Sequence, residues 1–156
     1  MGFSAGGTLA VLASSEELAR EFGRDQRFAA HLGIYPHCWV HRDVLAGKNK
    51  HLKPAIFRRG TGKPVLLMAA ENDGYDDSDG CPKFLQQLPP QVCANYSVTV
   101  YSGATFGWDS RISSAHYDSG GRKGKGGIVT IFADADTAAK SRVDAVAFFS
   151  KSLETQ

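Results

Sequence analysis

Apolar positions recur at helical spacing from the start of the chain. Leu9, Leu12 and Ala13 share one face of a helix predicted over residues 5–21, joined by Leu18 and Phe22, while Glu16, Glu17 and Arg20 fall on the solvated side. Gly23 is its expected stop. Ser14 and Glu17 stand at capping-box spacing, so a second helix could begin inside this stretch. Residues 28–36 read as a short buried strand closed by Pro36. The clearest buried strand is 64–70, Pro-Val-Leu-Leu-Met-Ala-Ala, an unbroken apolar run between turn signals. An acidic loop runs from Glu71 to Asp79, then a short helix over 80–88 ended by Pro89 and Pro90. Residues 95–101 carry the β-branched and aromatic residues of another strand. Residues 37–62 read as a polar connector and 102–127 as a long glycine-rich loop. Residues 128–132 form a short extended piece. The last helix is predicted over 134–153, with an apolar stripe through Ala138, Val143, Val146, Phe149 and Leu153.

Strands alternating with helices argue for an α/β fold on a mostly parallel sheet, here of about three to four strands flanked by helices. The composition, 42% hydrophobic and 22% charged, suits one core, so residues 1–156 read as a single domain. A formal net charge of +2 gives no reason to expect a nucleic-acid partner. No apolar run is long enough to span a bilayer, and no secretory leader is readable. Cys38, Cys81 and Cys93 are an odd count with no C-x-x-C pair. That points to free thiols in a reducing cytoplasm rather than to a disulfide framework.

The chemistry starts at Gly2-Phe3-Ser4-Ala5-Gly6-Gly7. This G-x-S-x-G spacing is the nucleophile elbow of α/β serine hydrolases, a sharp strand-to-helix turn with the hydroxyl exposed. The plainer reading is a glycine-rich tight turn. Only Met1 precedes the motif, so the strand delivering Ser4 is expected to be almost absent. The chain is then expected to hold the nucleophile and the half of the fold C-terminal to it. Acyl transfer also needs a proton acceptor and a group that orients it, in the chain order serine, acid, histidine. Asp73 comes after the buried strand, on the ligand-binding edge of a parallel sheet, although a surface turn among Asp76, Asp77 and Asp79 is the alternative. His116 keeps the chain order and is the provisional base, against the alternative of an exposed loop histidine. His37 and His41 come just after a strand end and could approach the site edge. His31 reads as a satisfied strand residue and His51 as solvated. His37, Cys38 and His41 are metal-ligand types without an evident fourth ligand, so no metal is expected. The acidic loop lacks the calcium-loop pattern, and Gly120–Gly127 lacks that of a phosphate loop.

Taken in order, the elbow, Tyr35-Pro36, the strand 64–70 running into Glu71-Asn72-Asp73, Cys81 opening a helix, Tyr101-Ser102-Gly103-Ala104-Thr105-Phe106-Gly107-Trp108-Asp109 and a closing helix with Phe148-Phe149 resemble the C-terminal half of the dienelactone hydrolase family, within the α/β-hydrolase superfamily. The resemblance implies a partial α/β-hydrolase fold and a hydrolase that cleaves a small ester or lactone through an acyl-serine, without a cofactor. It implies Ser4 as nucleophile, the Ala5 backbone N–H as oxyanion donor, Asp73 as acid, Phe3, Phe106 and Trp108 as the pocket wall, and a packing role for Cys81. The family's catalytic histidine falls where this chain has Phe106. A truncated, catalytically incompetent homologue is the alternative. It would act as a binding domain or self-associate, as a homodimer through an unpaired sheet edge.

Overall fold

The computed structural model describes residues 1–24 and 26–154. The main sheet is wholly parallel and four-stranded, in the order β1 (Gly2–Phe3), β2 (His31–Ile34), β3 (Val65–Asn72), β4 (Tyr96–Thr105). Between β1 and β2 run helices α1 (Ala5–Leu12) and α2 (Glu16–Gly23). Between β2 and β3 come α3 (Cys38–Leu45) and a 3₁₀ turn (Pro54–Phe57). Helix α4 (Gly80–Gln87) and the short α5 (Pro90–Cys93) lie between β3 and β4. A separate antiparallel hairpin of β5 (Ser114–Asp118) and β6 (Gly127–Ile131) flanks the short turn α6 (Gly121–Gly124). Helix α7 (Ala135–Glu154) closes the chain.

The unbroken apolar run of β3 is explained by burial on both faces. Period-two alternation sends Val65, Leu67 and Ala69 into a core with Val11, Cys38, Val44, Phe57 and Phe84, on the α1, α3 and α4 side. Leu66, Met68 and Ala70 enter the opposite core with Leu32, Ile34, Tyr101, Trp108 and Ala138, under α7. A sheet covered on both faces needs apolar residues at consecutive positions, and only parallel strands are routinely covered in this way.

Several boundaries differ from expectation. The helix predicted over 5–21 is two helices, and Ser15, not Ser14, caps the second: its Oγ accepts from the Leu18 N–H at 3.4 Å. Ser14 is buried and bonds instead to the Val11 carbonyl (2.7 Å) and the Tyr96 hydroxyl (2.5 Å). The connector 37–62 hides α3, whose inward face is Cys38, His41 and Val44; a buried histidine and cysteine broke the apolar periodicity. The loop 102–127 hides β5, exposed along most of its length and therefore without an alternating pattern. On α7 the stripe is displaced. Ala138, Ser141 and Ser152 are buried, while Val143, Val146 and Leu153 are more than half exposed.

The cysteine reading is overturned as well. Cys38 and Cys81 form a disulfide that joins the starts of α3 and α4, leaving Cys93 free. The pairing was invisible because 43 residues separate the two cysteines. Cys81 is thus a covalent cross-link rather than a packed thiol, and the cysteine count no longer argues for a reducing compartment. Among the described residues, no helix is long and apolar enough to cross a membrane.

Candidate functional site at the elbow

Ser4 sits between β1 and α1 with φ 51° and ψ −122°, a conformation that L-residues rarely adopt. It holds the N-cap position of α1, where a serine ordinarily bonds its hydroxyl to the helix. Here the side chain makes no capping bond. The backbone is pinned instead: the Ser4 N–H donates to the Ile34 carbonyl at 3.0 Å, and the Ser4 carbonyl accepts the Thr8 N–H at 3.0 Å. The strained turn therefore withholds the hydroxyl from the helix. The Ala5 and Gly6 N–H groups lie in the first turn, where helix geometry supplies no partner and the helix dipole favours negative charge.

The glycines are there for close approach. A Cβ on Gly2 would run into the Gly6 carbonyl. One on Gly7 would stand 3.0 Å from the Ile34 carbonyl and 3.1 Å from that of Gly2. Helix α1 thus lies directly on β1 and β2, and Ser4 is held at the carboxyl end of the sheet, where parallel folds bind ligands.

Around that end lies a chain of aromatic rings. Phe3 and Tyr35 have centroids 5.9 Å apart, Tyr35 and Phe106 4.8 Å, Phe106 and Tyr75 4.6 Å, and Tyr75 and His37 5.1 Å. Phe3 and Phe106 therefore share one cluster. Trp108 lies beneath it, wholly buried, stacked edge-on to Tyr35 and donating its indole N–H to Ser141 at 3.0 Å. Tyr35 donates its hydroxyl to Asp109 at 2.8 Å; burial, then this carboxylate, push its pKa up.

Asp73 comes directly after β3 and accepts the Tyr75 N–H at 2.7 Å. Burial drives its pKa up to about 7 against that hydrogen bond, with the neighbouring Asp76 pushing the same way. No hydrogen bond or ion pair joins Asp73 to a histidine among the described contacts. The histidine-facing carboxylate is Asp118 on β5. It accepts the Tyr75 hydroxyl at 2.6 Å and lies 4.0 Å from His116 Nε2. The Tyr75 bond, then the Gly120 N–H, hold Asp118 below the usual carboxylate range. His116 is half-exposed on β5. The hairpin is locked onto the acidic loop by the Arg122 and Lys123 N–H groups, which donate to the Gly74 and Tyr75 carbonyls at 2.9 and 3.1 Å.

His37, just past β2, is tied to the elbow. Its backbone N–H donates to Thr8 Oγ1 at 3.1 Å, and that oxygen lies 3.4 Å from the Ser4 carbonyl. Burial lowers its imidazole pKa, opposed by Asp118. His31 and His41 are buried more deeply. Desolvation takes them down to about 4 and about 3, so both are neutral structural residues. One group has metal-ligand chemistry, Cys38, Cys81 and Asp76, with ligand atoms within 4.8 Å of one another. Its sulfurs are committed to the disulfide, so they do not fit a metal in this state.

Neither Tyr75 nor Asp118 stood out in the sequence. Tyr75 sits in a run read only as acidic, and Asp118 in a run read as loop. Their link is a contact between segments 43 residues apart.

No protein-family model matches the chain, and no curated protein matches it. Among solved structures, Est1E from Butyrivibrio proteoclasticus is similar, with TM-score 0.43 and 18% identity, covering 67% of this chain and 51% of that one. The chain thus spans about half the length of that structure. The architecture itself, a four-stranded parallel sheet between helical layers, is α/β.

Proposed function

We propose that the chain is a hydrolase of the dienelactone hydrolase type, cleaving a small ester or lactone through an acyl-serine at Ser4. The observation that carries this reading is Ser4 itself: a strained serine at a helix N-terminus whose hydroxyl makes no cap. Positive φ at a non-glycine residue costs about 1–3 kcal/mol and persists at sites where the geometry is used. Attack by Oγ on an acyl carbon puts negative charge on the carbonyl oxygen. In this reading the Ala5 N–H and the positive end of α1 receive it. Asp73 supplies the carboxyl at the end of β3, and Phe3 and Phe106 an apolar wall. Two histidines, His37 and His116, belong to the elements that meet at this edge. No cofactor takes part in this chemistry. Replacing Ser4 with alanine should abolish hydrolysis of p-nitrophenyl acetate; unchanged hydrolysis would remove the proposal.

A second, non-enzymatic reading rests on a different observation. Strand β1 forms one edge of the sheet, and Met1, Phe3, Leu9 and Phe28 near it are strongly exposed. Such an edge invites pairing with a second copy. Light scattering reads it directly: dimer mass favours self-association, and monomer mass across the micromolar range excludes it.

A further inference from the structure

We infer that His37 is the general base that takes the proton from Ser4 Oγ. This rests on the hydrolase reading above and adds the residue that completes it. Phe106 stands at the position resembling the family's histidine and has no atom that accepts a proton. Something else must do so.

The backbone brings His37 to the nucleophile by two routes. Along the sheet, β1 pairs with β2 through Phe3 and Ile34, and the Ile34 carbonyl accepts the Ser4 N–H at 3.0 Å; His37 is three residues further on. Along the helix, Thr8 Oγ1 accepts the His37 N–H at 3.1 Å, and Thr8 itself hydrogen-bonds back to the Ser4 carbonyl. The ring then lies against Tyr75 at 5.1 Å and Phe106 at 6.2 Å, in the aromatic cluster that reaches Phe3, the residue preceding Ser4.

The ring atom that matters is Nε2. It is buried and has no hydrogen-bond partner. A buried ring nitrogen left unpaired is destabilising, so as an acceptor it calls for an O–H donor. The donor that this assignment gives it, once substrate is bound, is Ser4 Oγ–H. The titratable groups that act on His37 are Asp118 on β5, Tyr75 in the loop after β3 and His41 on α3; the same elements also carry His116 and Tyr117, Asp73, Asp76, Asp77 and Asp79, and Arg42 and Asp43. Burial keeps the imidazole neutral, and Asp118 supports the imidazolium that forms. His116 is half-exposed and faces Asp118, so its ring is solvated.

In the first half-reaction, Ser4 Oγ bonds to the acyl carbon while its proton passes to His37 Nε2. The carbon–oxygen bond to the leaving group breaks, and the departing alkoxide takes that proton and leaves as an alcohol. Water then attacks the acyl-serine, giving its proton to the same nitrogen, which returns it to Ser4 as the acid is released.

The test uses the full chain, p-nitrophenyl acetate and an alkyl fluorophosphonate. His37→Gln should cut both hydrolysis and the phosphonylation rate roughly 100-fold or more, with added imidazole restoring part of the loss. Loss of hydrolysis in Ser4→Ala together with retention in His37→Gln overturns the role of His37 and leaves the hydrolase reading intact. Hydrolysis surviving Ser4→Ala overturns both. A second measurement needs no variant. The wild-type phosphonylation rate should rise with pH to a half-point below 6.5, the ordinary imidazole value, because burial lowers this ring. A half-point at or above it would assign the proton to a solvated histidine and sink the inference.

Discussion

The rings of His37 and Phe106 lie 6.2 Å apart and 33° from parallel. The two rings are thus neighbours in one aromatic cluster, and Phe106, which packs against Tyr35 and Tyr75, has no atom that accepts a proton.

That spacing yields a rescue experiment. In a His37→Gln background, Phe106→His should restore hydrolysis of an activated ester by about 10-fold or more, since a positioned base contributes at least that much. The readout is initial rate, with Phe106→Leu in the same background as the control for packing. Equal rates from the two double variants would mean that position 106 does not face the nucleophile.

The Cys38–Cys81 bond joins α3, which begins just after His37, to α4, which begins just after the acidic loop. It closes a span of 43 residues, a loop for which chain entropy gives about 4 kcal/mol of stabilisation. Reduction, or Cys81→Ser, should lower the melting temperature by several degrees. Intact mass under denaturing, non-reducing conditions should fall two hydrogens short of the fully reduced chain. A fully reduced mass with unchanged melting would contradict the bond.

Gly7 is a point of close approach between α1 and the sheet. Gly7→Ala adds a Cβ about 3.0 Å from the Ile34 carbonyl, whose lone pair also holds the Ser4 N–H. Neither backbone can yield without shifting the elbow. The expected cost is about 1–3 kcal/mol in urea unfolding, with a larger proportional loss of hydrolysis. Gly6→Ala, where a Cβ meets nothing, is the control.

Two buried groups pull stability in opposite directions over nearly the same pH range, so their separate effects are read from variants rather than from the wild-type curve. His31 falls from 6.5 to about 4 in the fold, so the unfolded chain binds more protons between those values. Its contribution is full above 6.5 and is lost as pH falls toward 4. Asp73 runs the other way. It rises from 3.8 to about 7, so its contribution is full below 3.8 and is lost as pH rises through 7. Asp73→Asn should therefore raise the melting temperature in mildly alkaline buffer and change it little at or below pH 4. Equal effects at both ends would deny the buried carboxyl.

The buried part of β3 was legible, because burial on both faces writes itself as an unbroken apolar run; its exposed end, Glu71 and Asn72, was read as loop. The strand-to-helix turn at Ser4 was legible too, because such a turn needs glycines at fixed spacing. Helix α3 was not, since its inward face uses His41 and Cys38, residues that count as polar or reactive until the disulfide and the surrounding Phe57 and Phe84 rings are seen. Within the hairpin, β6 was read as the extended piece 128–132, but β5 was hidden for the opposite reason: it is exposed on both faces and carries no alternation. His37 was visible only as a residue near a strand end. Its tie to Thr8, across 29 positions, is a tertiary fact that no local pattern encodes.

The central claim, that Ser4 is a nucleophile, has one direct measurement. Incubate the protein with an alkyl fluorophosphonate, digest it and locate the adduct by mass spectrometry. The account predicts one phosphonyl group, on Ser4, absent in Ser4→Ala and formed more slowly while the ester is present as a competing substrate. A folded wild-type protein that takes up no phosphonyl group, or takes it up on a serine other than Ser4, would contradict it.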